Sequence, residues 1–232
     1  MNSSFSVSTL LGVLGVLAAC AGQGAHAQQP VARPASSGLD AIGYPLETLA
    51  PAGAAAIADG VLTLTAAKGT DLYANVDGSK VVDDTPRVLF APQGDFIFSA
   101  KVTGAFTSKF DGGALIVYAG KNSWAKLLFE RTVDGTGAIA TTVTKGAGDD
   151  ALHQGVDGDA VYLKVARREA LYVFYTSGDG VRWRMLRTFG FPAATPVRIG
   201  FSSQSPAGAT FKARFSDVRF HAAAFKDYWQ GE

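Results

Sequence analysis

The segment Ser123-Trp124-Ala125-Lys126-Leu127-Leu128-Phe129-Glu130-Arg131 holds the densest set of side chains that could meet a ligand. An extended strand sends alternate side chains to opposite faces, so Ala125, Leu127 and Phe129 point one way and Trp124, Lys126, Leu128 and Glu130 the other. The first set is core in character. The second puts an indole, an ammonium and a carboxylate in one row, with Lys126 and Glu130 about 13 Å apart along the strand. An aromatic face can stack on a sugar ring while neighbouring charged groups hydrogen-bond its hydroxyls, so the row reads as a ligand stripe. The competing reading is a sheet face of long solvated side chains with one Trp packed under a loop, and from the strand alone it is the simpler one. Glu130 is expected to be ion-paired with Lys126.

Catalytic chemistry is thinly supplied. Asp and Glu total 20, of which only Glu47, Glu130, Glu169 and Glu232 are Glu. Glycoside hydrolysis needs two carboxyl groups flanking the scissile bond, roughly 5 to 10 Å apart, and no Glu-x-Asp-x-x-Glu array lies on any one strand. Glu130 could meet Asp71 or Asp111 only through folding. The single Cys excludes an internal disulfide, and with three His it leaves no Cys/His zinc set. His26 lies in the leader, so only His153 and His221 remain for a Ser-His-Asp arrangement. Asp157-Gly158-Asp159 and Asp149-Asp150 could offer oxygens to calcium, but they lack EF-hand spacing and read as turns. No metal and no cofactor is expected. Twenty-one Lys+Arg against 20 Asp+Glu leave a net charge of +1, so nucleic acid is not expected as a partner. Arg167-Arg168 and the group Arg182, Arg184 and Arg187 read as solvated sheet edges.

The elements that must position these residues are strands. Of 232 residues 47% are hydrophobic and 18% charged, which excludes a disordered chain, and 27 Gly with 9 Pro in no triplet period point to many turns. Alternating segments follow at Val61–Thr65, Arg87–Ala91, Asp95–Val102, Ala114–Ala119, Ser123–Arg131, Ala138–Lys145, Ala160–Arg167, Ala170–Ser177, Val181–Phe189, Val197–Ser202 and Thr210–Phe220. Their spacing predicts an all-β sandwich or barrel of antiparallel sheets. Asp179-Gly180 reads as a two-residue hairpin turn, and Gly120-Lys121-Asn122 closes another.

Residues 5–19 are an uncharged, largely apolar run too short to span a bilayer, as in a secretory signal. Two cleavage readings stand side by side. Ala25-His26-Ala27 is a small-x-small site that would leave a mature chain from Gln28. Leu17-Ala18-Ala19-Cys20 resembles a bacterial lipobox, in which Cys20 is lipidated and anchors the protein to a membrane surface. Either implies export, to the bacterial periplasm or to the cell envelope, with no transmembrane helix in the mature chain. Residues 28–56 read as an Ala/Pro/Gly-rich tether that merges into the domain near Tyr44 to Leu49, residues 57–225 as the sandwich, and 226–232 as a tail.

Seven motifs fall in an order that resembles one family. They are Gly69-Thr70-Asp71-Leu72-Tyr73, Phe90-Ala91-Pro92-Gln93-Gly94-Asp95-Phe96, Asp111-Gly112-Gly113-Ala114-Leu115-Ile116, Asn122-Ser123-Trp124-Ala125-Lys126 with Glu130, Thr142-Val143-Thr144, Ser177 through Trp183, and Ser205-Pro206. The chain from about Gly60 to Phe220 resembles the uncharacterised concanavalin A-like family labelled "regulation of enolase protein 1". The resemblance implies a lectin/glucanase-type jelly roll of two antiparallel sheets. It also implies that Asp71, Tyr73, Asp111, Trp124, Lys126, Glu130, Thr142 and Thr144 gather on the concave sheet as ligand-binding residues. This sequence departs from the family in carrying Tyr73 where Trp is usual, Lys145 to Asp150 where an aromatic loop is usual, and the larger Leu128 on the Trp124 face. The function expected is a non-catalytic exported module binding glycan or another polar ligand. Its alternatives are a glycan hydrolase of the same fold and a structural or protein-interaction domain of the cell envelope.

Overall fold

A computed structural model describes residues 39–51 and 53–232. The leader, both cleavage sites and Cys20 lie outside the described residues. Leu39–Ala41 form a short 3-10 turn. The strands are β1 (Glu47–Leu49), β2 (Gly53–Ala58), β3 (Val61–Ala67), β4 (Leu72–Ala74), β5 (Val81–Asp83), β6 (Arg87–Phe90), β7 (Phe96–Thr103), β8 (Gly112–Gly120), β9 (Ser123–Arg131), β10 (Gly137–Lys145), β11 (Gly148–Val156), β12 (Ala160–Arg168), β13 (Leu171–Ser177), β14 (Arg184–Gly190), β15 (Arg198–Gln204) and β16 (Thr210–His221).

Two seven-stranded antiparallel sheets face each other, in the orders β1-β6-β15-β8-β9-β10-β11 and β14-β13-β12-β7-β16-β3-β2. This is the expected two-sheet antiparallel sandwich. The core between them takes one alternating set from each strand: Leu115 and Val117 of β8, Ala125, Leu127 and Phe129 of β9, and Phe96, Phe98, Leu163, Val165 and Phe215 from the other sheet. Each such buried Leu or Phe contributes about 1.5–3 kcal/mol. Edge-on aromatic contacts tie the layers together, with Phe90 and Phe98 5.3 Å apart between ring centres and Phe98 and Phe201 5.2 Å apart.

The outer faces are not bare. β4 and β5 form a separate hairpin laid over the first sheet, where Leu72 and Ala74 bury against Ala114, Ile116, Tyr118, Trp124 and Leu128. That cover explains why β8 reads as one continuous apolar run: both of its faces are buried. On the second sheet Phe225 is 1% exposed, Tyr175 donates its hydroxyl to the Tyr228 carbonyl at 2.7 Å, and buried Lys164 donates to the carbonyls of Gln230 and Gly231. Burial pulls the Lys164 ammonium down to about 8, with the nearby Glu232 carboxylate opposing that shift. Residues 226–232 therefore pack on the sheet rather than trail from it. At the other end, β1 and β2 enter the sheets within the segment read as a tether.

Two local expectations change. Gly120 pairs with Ser123 across Lys121-Asn122, as a hairpin should. The Asp179 turn is wider than two residues, because β13 ends at Ser177 and β14 starts at Arg184. Asp179 instead caps this loop, accepting the N–H groups of Val181 and Arg182 at 2.9 and 2.8 Å. The segment Gly148–Val156, for which no strand was expected, is an edge strand antiparallel to β10.

Gly148 shows how tightly the hairpin sits. A Cβ at this position would lie 2.1 Å from the Ala74 carbonyl oxygen, and the Gly148 N–H donates to the Asn75 carbonyl at 3.0 Å. Gly148→Ala is expected to destabilise the protein by about 2 kcal/mol through this overlap. Hydrogen exchange should show lost amide protection confined mainly to residues 71–84, and a uniform loss across both sheets would contradict that.

Candidate functional site

The outer face of the first sheet carries a cleft of about 580 Å³ beside the hairpin. Register explains why a depression forms there. Leu128 and Glu130 of β9 lie between Ala140 and Ala138 of β10 on one side and Ala114 and Gly112 of β8 on the other. Of these small neighbours Ala140 lines the cleft, and its short side chain leaves the floor low there. Tyr73 and Lys80 of the hairpin raise one wall, with Phe110, Val133 and Leu152 on the rim. Thr142 and Asp150, opposite each other in the β10–β11 register, close one end.

Of the residues expected to bind ligand, Asp71, Tyr73, Lys126, Glu130 and Thr142 line the cleft. Trp124, Asp111 and Thr144 do not, and each is 0% exposed. Trp124 packs under the hairpin against Leu72 and Ala74 and donates its indole N–H to the Lys121 carbonyl at 3.2 Å. No ring face is left for a sugar, so the aromatic residues of the cleft are Tyr73 on its wall and Phe110 on its rim. Asp111 is a loop anchor: it accepts the Ser108 N–H at 2.9 Å and the Ser205 hydroxyl at 2.7 Å, and longer bonds from the Thr107 N–H and hydroxyl. Thr144 stands beside Trp124 in the register under the same cover, and its hydroxyl meets no partner among the described residues.

Lys126 is 4% exposed and its donors are used inside the protein. Its Nζ donates to the Leu72 carbonyl at 2.6 Å and to Gln204 Oε1 at 2.9 Å, with Asp71 Oδ1 at 3.5 Å. This fastens the hairpin to the sheet. A second buried cation fastens the other hairpin strand: Arg87 pairs with Asp83 at 2.6 Å, and the Tyr118 hydroxyl donates to the same carboxylate at 2.7 Å. Thr142 donates its hydroxyl to Asp150.

The ion pair expected between Lys126 and Glu130 does not form, because Lys126 turns to the hairpin instead. The Glu130 carboxyl makes no hydrogen bond and no ion pair with any described residue. Burial pushes its carboxyl up to about 7; Lys126 opposes the shift, while Asp71 and Asp150 add to it. Sequence reasoning missed Gln204 and Leu152 altogether, and read Asp150 as a turn residue rather than part of the cleft; Asp150 and Leu152 belong to one strand. The alternation Asp150, Leu152, Gln154 was the available signal for the last two, hidden behind the Gly-rich run that opens the strand.

These features define an all-β sandwich with a covered outer sheet face and a mixed polar and apolar cleft. The chain belongs to the family described as "Protein of unknown function (DUF1349)", whose profile matches residues 49–223. Among solved structures, a functionally unknown protein from Saccharomyces cerevisiae aligns with a TM-score of 0.69 at 20% identity, covering 77% of this chain and 96% of that one. The GH43B protein of a Bacteroides ovatus xyloglucan PUL aligns at 0.55 and 20% identity over 70% of this chain, which spans 32% of that larger protein. Lectin I-B4 from Griffonia simplicifolia, in its metal-free form, aligns at 0.50 and 13% identity over 79% of this chain and 93% of the lectin. At such identities the likeness is one of fold. No curated protein matches the sequence.

A carboxyl held above its ordinary range favours the folded state while protonated and penalises it once ionised. The unfolded chain titrates near the ordinary glutamate value and the folded one near 7, so this group's contribution is present at low pH and lost as pH rises through that window. Urea denaturation at pH 5 and pH 8 should show Glu130→Gln gaining about 2 kcal/mol on the wild type across that interval. Parallel curves for the two proteins would show that the carboxyl titrates normally.

Proposed function

We propose that this protein is a non-catalytic, exported module that binds carbohydrate in the cleft beside the β4–β5 hairpin. The observation that carries this reading is Tyr73. Its partly exposed ring lines the cleft and pairs with no other aromatic ring among the described residues. A sugar ring stacked on Tyr73 would rest over the apolar floor of Leu128 and Ala140, with Glu130 and Gln204 toward one end and Thr142 and Asp150 toward the other, within reach of its hydroxyls. The sandwich likeness to a lectin supports the reading at the level of fold.

Tyr73→Ala should lower affinity for the best ligand on a glycan array by at least about tenfold, while the thermal transition stays within a few degrees. Unchanged binding would remove the stacking role and with it this reading. One feature favours a hydrolase as second reading: Glu130 is a carboxyl raised to about 7 in a cleft with two other carboxylates, as an acid catalyst would need. Release of reducing ends that falls as pH rises through 7, and vanishes in Glu130→Gln, would replace the binding reading by that one.

Export is proposed from the leader alone. Intact-mass measurement of protein recovered from a bacterial host should find a chain starting at Gln28, or an acylated chain starting at Cys20 that partitions into detergent. An unprocessed chain starting at Met1 would contradict both.

A further inference from the structure

Resting on the carbohydrate reading above, we infer that the cleft selects saccharides bearing a free, protonated amino group, which Glu130 receives as its counter-ion. The cleft's charged groups are Asp71, Glu130 and Asp150 against Lys80 and Lys126. Lys126 is 4% exposed, donates to the Leu72 carbonyl and Gln204 and lies 3.5 Å from Asp71, so its charge is spent inside the protein rather than offered to a ligand. Lys80 sits exposed on the hairpin. Toward the ligand, then, the lining presents the carboxyl groups of Glu130 and Asp150 against one solvated ammonium. Asp150 already accepts the Thr142 hydroxyl; the Glu130 carboxyl has no partner at all among the described residues.

That asymmetry sorts ligand classes. A uronic acid would bring a further carboxylate to a cleft already lined by Asp71, Glu130 and Asp150 and be repelled. A neutral sugar leaves the Glu130 carboxyl protonated and adds at most ordinary hydrogen bonds, worth about 0.5–1.5 kcal/mol each. An ammonium supplies the missing opposite charge, and its pairing is strengthened where water is thinned. The rim does that thinning. Phe110, Val133 and Leu152 are three of the seven large apolar side chains exposed among the described residues, and all three border this cleft. Ion pairs beside such surface gain from the lower local dielectric. Proton balance is closed: a protonated Glu130 carboxyl meeting a protonated amine gives the carboxylate–ammonium pair and one proton released to solvent.

Calorimetry of the full chain at pH 6 tests this with glucosamine, N-acetylglucosamine and galacturonic acid trisaccharides, each in two buffers of different ionisation enthalpy. The glucosamine trisaccharide should bind about tenfold or more tighter than the acetylated one. Its binding should release close to one proton, because Glu130 is mainly protonated at pH 6 and a cation drives it to the ionised form. The acetylated sugar should release none, and Glu130→Gln should bind both equally. Equal affinities in the wild type, or glucosamine binding without proton release, would overturn the inference while leaving the carbohydrate reading standing. Failure of every trisaccharide to bind would remove both. The proton count uses the unaltered protein and does not depend on how the variant folds.

Discussion

The ammonium of Lys126 lies in the outer face of a sheet, 4% exposed, between the Leu72 carbonyl at 2.6 Å and the Gln204 amide oxygen at 2.9 Å. A charge so buried is tolerated only when its donors are all engaged, and removing one partner of such a set commonly costs several kcal/mol. Here the partners come from the hairpin and from β15. The same ammonium therefore joins hairpin to sheet, shuts Trp124 beneath the hairpin, and leaves Tyr73 as the wall of a cleft. Arg87 does the equivalent for the second hairpin strand through Asp83 and Tyr118. Without these two cations the apolar outer patch of Ala114, Ile116 and Leu128 would face water.

The second sheet repeats the device. Lys164 is 3% exposed, lies 4.0 Å over the Trp183 ring, and fastens the C-terminal segment through two carbonyls. Each outer face thus carries a lysine and a tryptophan beneath a covering segment. The difference is that the first cover stops short. Leu128 and Ala140 line an open cleft beyond the hairpin, and the Glu130 side chain stands there with no hydrogen-bond or ion-pair partner among the described residues. The unpaired carboxyl makes this face a candidate binding surface, whereas the buried lysine acts as architecture.

Two residue assignments illustrate the limit of reading one strand. Alternation placed Trp124, Lys126, Leu128 and Glu130 on one face, and they share that face in the structure. Alternation carries no information about what lies above a face. The hairpin that covers Trp124 comes from some fifty residues earlier in the chain, joined by a lysine-to-carbonyl bond that leaves no pattern in either segment. Asp111 was grouped with the ligand residues by resemblance, yet its neighbours Thr107 and Ser108 mark it as a loop anchor once the backbone is seen to turn back on it.

By itself the sequence determined the all-β class, most strand positions and the face each β9 side chain takes, because these follow from local alternation and turn chemistry over a few residues. It also determined the scarcity of catalytic side chains. Only the tertiary structure decided that Trp124 is core, that Lys126 is a fastener, that β11 is a strand supplying Asp150 and Leu152, and that Glu130 is left unpaired. Each of those depends on which distant segment settles on a sheet face, and burial and charge pairing are properties of that settled arrangement rather than of the strand itself.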